Sequence, residues 1–251
     1  ADPGRLDWLL RHGAQPEAPD PTGQTPLWRL LARGEDGIAG ARRLFAAAAG
    51  AGGAGGLERI LAACLGRAAG TAAEAFALDL LERGADPFAA DVDGDPALVL
   101  ATRLGWIGLL RALLARGLDP DASDRRGMAA LHHAAALGRA DLVKALVLAG
   151  ANPDRRAADG QTALGIALSC GRRDLADWLD WRSWRLPRRP LLPSDLPATA
   201  IVGDLDAARR LLALGLPVNA TDAQGCTALL RAAGGGHRAL VEFLLAQGAD
   251  P

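Results

Sequence analysis

The sequence predicts an all-α solenoid built from short helix-turn-helix repeats, and three observations carry that expectation. A block of about twelve residues recurs at a fixed spacing. A second, Gly-led marker precedes it each time. No stretch shows the alternating apolar pattern of a strand.

The recurring block reads GMAALHHAAALG from Gly127, GQTALGIALSCG from Gly160 and GCTALLRAAGGG from Gly225. GQTPLWRLLARG from Gly23 and GDPALVLATRLG from Gly94 fit the same frame. Gly94 to Gly127 is 33 residues, Gly127 to Gly160 is 33, and Gly160 to Gly225 is 65, one short of two periods. Gly23 to Gly94 is 71, two periods plus five. The marker reads GAQP at Gly13, GADP at Gly84, GLDP at Gly117, GANP at Gly150 and GLPV at Gly215, and returns at Gly248-Ala249-Asp250-Pro251. A fixed period of this length denotes stacked supersecondary units.

Each part of the block has a physical task. Thr25 and Thr162 offer a hydroxyl to free amides at a helix start. Pro26 takes the first helical position, where a missing N–H costs nothing. Gly138, Gly171 and Gly236 end the first helix, because only glycine accepts left-handed backbone freely. Leu109, Leu110, Leu113 and Leu114 give the second helix an apolar face at helical spacing. Asp93-Gly94 and Asp159-Gly160 predict tight turns that project as fingers, and Asp124 and Asp222 are expected in the same turn role.

A 33-residue period carrying G-x-T-P-L-H-x-A-A and G-A-D-P resembles the ankyrin repeat over nearly the whole chain. The resemblance implies about seven repeats after a leading helix near residues 4–13. Their bounds are approximately 20–52, 53–90, 91–123, 124–156, 157–188, 189–221 and 222–251, within one domain over 1–251. Two places depart from the pattern. Residues 35–71 are rich in Ala and Gly and lack a clean motif, so an irregular segment is expected, with a loop around Gly50 to Gly56. The finger at 181–193, WRSWRLPRRPLLP, replaces the usual turn, and its three prolines predict an extended loop.

Composition narrows function further. Half of the 251 residues are hydrophobic but only 4% are aromatic, so the apolar mass is mostly Ala and Leu. Net charge is −1, which gives no bulk drive toward nucleic acid, an unlikely partner, or toward a membrane surface. Of 28 basic residues only Lys144 is lysine; with the Ala, Gly and Pro excess, this is the bias of GC-rich coding and is expected of a bacterial gene. Cys64, Cys170 and Cys226 lie far apart with no zinc or disulfide spacing. No apolar run reaches the ~20 residues of a membrane helix. The opening residues show no export signal, so a cytoplasmic location is expected.

Catalytic sets are not legible. His132 sits at the motif histidine, whose ring the resemblance assigns to local hydrogen bonding. His133 beside it faces another direction, so the two do not share a metal. The turn aspartates are not paired acids. No catalytic residue, cofactor or metal is expected, and the chain reads as a non-catalytic binding module. The resemblance implies a concave binding surface of finger tips and first helices. By position it includes Arg29, Arg103, Arg125, Arg126, Arg155, Arg156, His133 and Arg231. Guanidinium groups grip carboxylates and phosphates in two-pronged fashion, so the expected partner is another protein with an acidic surface. The alternative is a small anionic ligand, such as a nucleotide or cyclic dinucleotide, at the loop carrying Trp181, Arg182, Trp184, Arg185, Arg188 and Arg189. Against it stands the reading that these tryptophans pack over the degenerate repeat.

Overall fold

A computed structural model describes residues 3–14, 18, 20–21, 26–31, 33, 35–47, 60–61, 71–91, 93–181 and 183–251. The described helices are α1 (Pro3–Arg11), α2 (Pro26–Leu31), α3 (Glu35–Ala47), α4 (Thr71–Glu82), α5 (Ala97–Leu104), α6 (Ile107–Ala115), α7 (Ala130–Leu137), α8 (Ala140–Leu148), α9 (Ala163–Ser169), α10 (Arg173–Leu179), α11 (Asp195–Ile201), α12 (Leu205–Ala213), α13 (Ala228–Gly234) and α14 (Arg238–Ala246). From α5 onward they alternate between an inner first helix and an outer second helix. Among the described residues, β-structure is limited to isolated bridges at the finger bases, Ala90 with Pro96, Ser123 with Ala129 and Thr221 with Thr227. The expected all-α array therefore stands.

Local chemistry sets the helix ends. The Thr162 hydroxyl accepts the amide of Gly165 at 3.2 Å, and Thr227 caps Leu230 in the same way. Thr25, expected to do likewise, lies outside the described residues. Helix α6 has no side-chain cap of its own; Glu74 on the preceding outer helix α4 accepts the amide of Leu109 at 3.1 Å instead. Gly138 turns with φ +70°, and a Cβ there would lie 2.7 Å from the Arg172 guanidinium. The next repeat thus covers the turn, so glycine is required twice over, for backbone hand and for space.

Burial follows the stacking. Leu109, Leu110, Leu113, Leu131, Leu142 and Leu146 are fully buried. Inner helices pack on their neighbours from α5 to α7 and α7 to α9. The core runs from Ile38 to Leu179. It includes Ile38 and Ala41 of α3, and Leu44 is buried on the same face, so the first third of the segment expected to be irregular over 35–71 is regular helix. Three apolar side chains at helical spacing outweigh the lost motif there. The loop expected around Gly50 to Gly56 lies outside the described residues.

A second core runs from Leu196 to Ala249. Between the two, the packing of neighbouring inner helices does not extend from α9 to α11 to any comparable extent. The irregular finger fills the gap. Trp181 packs against both cores and meets Trp178 and Trp184 at 5.9 Å each. Arg210 lies over the Trp181 ring and donates to the carbonyls of Asp177 and Asp180. The Leu191 amide donates to the Leu148 carbonyl at 2.9 Å, and the Arg189 backbone closes on Gly150 so tightly that a Cβ would fall 2.4 Å from it. As expected from its prolines the loop is not helical, but it is packed. The degenerate repeat after it still forms α11, with Leu196, Thr199 and Ala200 buried.

Leu146→Ala is expected to cost about 2–5 kcal/mol, because the vacated volume lies between stacked helices. Exposed Arg126→Ala should change stability by no more than about 0.5 kcal/mol. Urea midpoints distinguish them, and equal midpoints would overturn the assignment of faces. Trp181→Ala removes the largest of the side chains that pack against both cores, Leu191 and Leu214 being the others. A single urea transition in the wild type should then split into two, as for repeat arrays whose coupling is cut; an unsplit transition shifted as a whole would refute the separation into two cores.

Candidate functional site

The fingers are rigid because their first residue ties the turn. Asp124 Oδ1 accepts the amides of Arg126 and Met128, each at 2.9 Å, and Asp222 does the same for Gln224 and Cys226. In the repeat before them this residue is Asp91, which accepts from Asp93 and Asp95. Asp93, expected in that role, is two positions late in register and pairs with Arg125 of the next finger at 2.7 Å. Asp159 accepts one amide, from Gln161, because Ala157 stands at its finger's first position. Buried His132 accepts the Ala129 amide through Nδ1 and donates through Nε2 to the Arg155 carbonyl at 3.0 Å, joining two repeats. Its ring is local structure, as the resemblance implies.

The arginines of the expected surface are largely spoken for. Arg29 pairs with Asp20, Arg125 with Asp93, and Arg231 with Asp222, the last also donating to Gln224. Arg103 holds Asp95 at 2.9 Å, and that buried carboxylate's other oxygen has no partner among the described residues. Loss of Arg103 would leave a buried, uncompensated charge, so this arginine supports folding. Arg155 donates to Ser123 at 3.2 Å, and Arg156 closes on the Gly160 carbonyl of its own finger. Arg126 is exposed, with no side-chain partner among the described residues. The aspartates that neutralise this surface lie eight or nine positions before Arg29, Arg103 and Arg231, and one repeat before Arg125.

His133 donates through Nε2 to Asp124 Oδ2 at 2.9 Å, with only 16% of its side chain exposed. Burial lowers the His133 pKa below its ordinary 6.5, outweighing the attraction of Asp124. Burial would raise Asp124, but hydrogen bonds from Met128, His133 and Arg126 together hold it below the ordinary carboxylate value.

On the 181–193 finger, Trp184 donates its backbone amide to Asp204, and Arg189 grips Asp195 with two bonds of 2.9 and 2.7 Å. Arg185 and Arg188 are exposed and without partners among the described residues. Arg182 lies outside the described residues. A recess of about 260 Å³ beside this joint is lined by Asp177, Asp180, Asp204 and Asp206 with Arg210. Among the described residues no group of His, Cys, Asp or Glu has the makings of a metal site, and no helix is long and apolar enough to cross a membrane.

One group of residues went unmarked in the sequence. Lys144, Arg172 and Arg173 meet around a groove between the outer helices α8 and α10, at the end of the layer opposite the fingers. Lys144 was visible as the lone lysine, but nothing in its spacing linked it to the arginines one repeat later.

The pH dependence follows from the two lowered pKa values. The folded state holds fewer protons than the unfolded chain at both His133 and Asp124, so stability falls on acidification. The His133 contribution is full above about pH 6.5 and is lost as pH drops through its folded value; the Asp124 contribution is lost lower, in the acid carboxylate range. Urea midpoints of the wild type should decline from pH 7 to pH 5, and those of His133→Gln should decline less. Parallel curves would refute the assignment.

Residues 61–157 match a family model described as ankyrin repeats (3 copies), and residues 199–245 match one described as ankyrin repeats (many copies). The stretch between them contains the irregular finger. No curated protein matches the chain. Ankyrin repeats are generally protein–protein interaction modules, and the matched stretches together cover more than half of the sequence. This chain belongs to the ankyrin-repeat family.

Proposed function

We propose that the chain is a non-catalytic scaffold that binds another protein through the concave surface of its fingers and inner helices. The observation that carries this reading is the character of that surface. Its arginines are mostly matched by aspartates, while successive inner helices each expose an apolar side chain: Leu137 on α7, Leu168 on α9, Ile201 on α11 and Leu230 on α13, the last three more than half exposed. Exposed apolar groups among paired charges suit the mixed contacts of a protein interface. They offer little to a small free anion, which needs uncommitted cations. The fingers are already tied by their Asx bonds, so little ordering cost attends binding. Of the loop arginines, Arg185 and Arg188 supply the support that a nucleotide-type ligand retains.

Capture from a lysate of the source organism should recover a protein with the wild type and lose it with Leu168→Asp plus Ile201→Asp. A fall in affinity of about ten-fold or more is expected, the scale of one lost anchor. Melting temperatures of wild type and variant should agree, and nucleotides and cyclic dinucleotides should leave them unmoved. Retention of the same protein by the variant, or a nucleotide-dependent rise in melting temperature abolished by Arg185→Ala with Arg188→Ala, would overturn the proposal.

A further inference from the structure

We infer that the array carries a second docking surface, a basic groove between α8 and α10 that receives an acidic segment of a partner protein. The inference is independent of the concave-surface reading, since the groove lies at the opposite end of the helix layer. Outer helices pack from α4 to α6 and from α6 to α8, but α8 and α10 do not pack to the same extent. The opening between them measures about 670 Å³.

Its charge is unbalanced. Lys144 of α8 and Arg172 and Arg173 at the start of α10 line it against the single carboxylate of Asp174, three positive charges to one negative. None of the three cations has an ion pair or side-chain hydrogen bond among the described residues. The contrast with the preceding repeat is direct. Arg139 occupies the place of Arg172 there, and Asp141 takes it with bonds of 2.9 and 2.7 Å. Asp174 stands where Asp141 does but makes no such pair. Arg172 is instead held by packing, its guanidinium against the Gly138 turn, where a Cβ would come within 2.7 Å. A guanidinium fixed by shape rather than by a counter-ion keeps its donors for an incoming carboxylate.

The wall decides the class of ligand. Leu175 is buried and Trp178 half-buried along the same groove, so it offers apolar contact beside the cations. A bare phosphate would use the charge and leave that wall and most of the volume unfilled. An acidic peptide with interspersed apolar side chains uses both, and Trp and Arg are the residue types that anchor such contacts.

The test uses a fluorescein-labelled peptide of repeating Glu-Glu-Leu as probe, read by anisotropy with the whole chain. The wild type should bind it, more weakly as salt rises, and should not bind a Lys-Lys-Leu counterpart. Lys144→Gln with Arg173→Gln leaves the packed Arg172 in place and should weaken binding roughly ten-fold or more, while Arg125→Gln with Arg126→Gln on the fingers should leave it unchanged. Arg172→Lys serves as a further variant that keeps charge but loses the fork, and an intermediate loss is expected. No binding of the acidic peptide, equal binding by the groove double variant, or loss confined to the finger variant would each overturn the proposal. Complete displacement of the peptide by equimolar inorganic phosphate would overturn it too, by assigning the groove to a free anion.

Discussion

Each helix pair in this chain has an apolar face that it cannot cover by itself, and every other feature answers to that constraint. Coverage comes from the neighbour, so the turn between inner and outer helix must be low enough for the next repeat to close over it. The left-handed glycines at 105, 138 and 203 meet this need, with Arg139, Arg172 and His237 of the following repeats lying against them. A Cβ at any of these positions would strain the backbone and collide with the neighbour. The same contact decides where two of the cations end up, because Arg139 and Arg172 each follow a left-handed glycine and lie over the preceding turn.

Where the coverage is interrupted, the chain repairs it with aromatic mass. Between α9 and α11 the regular stacking lapses, and Trp178, Trp181 and Trp184 take its place. The repair is imperfect in polar terms. Among the described residues the buried indole N–H groups of Trp178 and Trp181 have no acceptor, and an unsatisfied buried donor costs about 1–3 kcal/mol. Arg210 offsets part of it by stacking on Trp181 and satisfying two carbonyls from the α10 end. The joint thus holds by large apolar area and one arginine, whereas the other repeats hold by repeated small fits. That difference makes it the place where the two cores can part.

The period was readable because helix, turn and finger each demand particular residues at a fixed spacing, so the fold and the cap at Thr162 could be inferred from the chain, while packing by the tryptophans stood beside a ligand-binding reading. Helix α3 was obscured by Ala and Gly, whose composition reads as irregular while Ile38, Ala41 and Leu44 still share a face. Asp91 and Asp93 were confused because both precede Gly94 within one turn, and only the hydrogen-bond register distinguishes them. The ion pairs were hidden for a different reason. A count of arginines says how much positive charge exists, but pairing depends on rotamers and on which finger a neighbour presents, as with Arg125 and Asp93 across two repeats. Lys144 and Arg173 were unmarked on the same ground, since stacking alone brings them to one groove.

A net charge near zero therefore conceals two unlike surfaces. On the finger side, aspartates serve first as turn caps through one oxygen and then as counter-ions through the other, so positive charge there is consumed by the structure that displays it. Asp222 works this way, binding backbone amides with Oδ1 and Arg231 with Oδ2, while Asp124 uses its Oδ2 to accept from the His133 ring. Around the groove between α8 and α10, no turn needs a cap, and the cations remain uncommitted. Selectivity then differs by side. On the proposed finger interface, discrimination would rest on shape and apolar fit, because exchanging one paired charge for another gains little. The outer groove discriminates by charge, because each carboxylate it accepts meets a cation that had water as its only competitor. One array can in this way hold two partners of different chemistry without their sites overlapping, the arrangement through which a scaffold raises the effective concentration of one partner at the other.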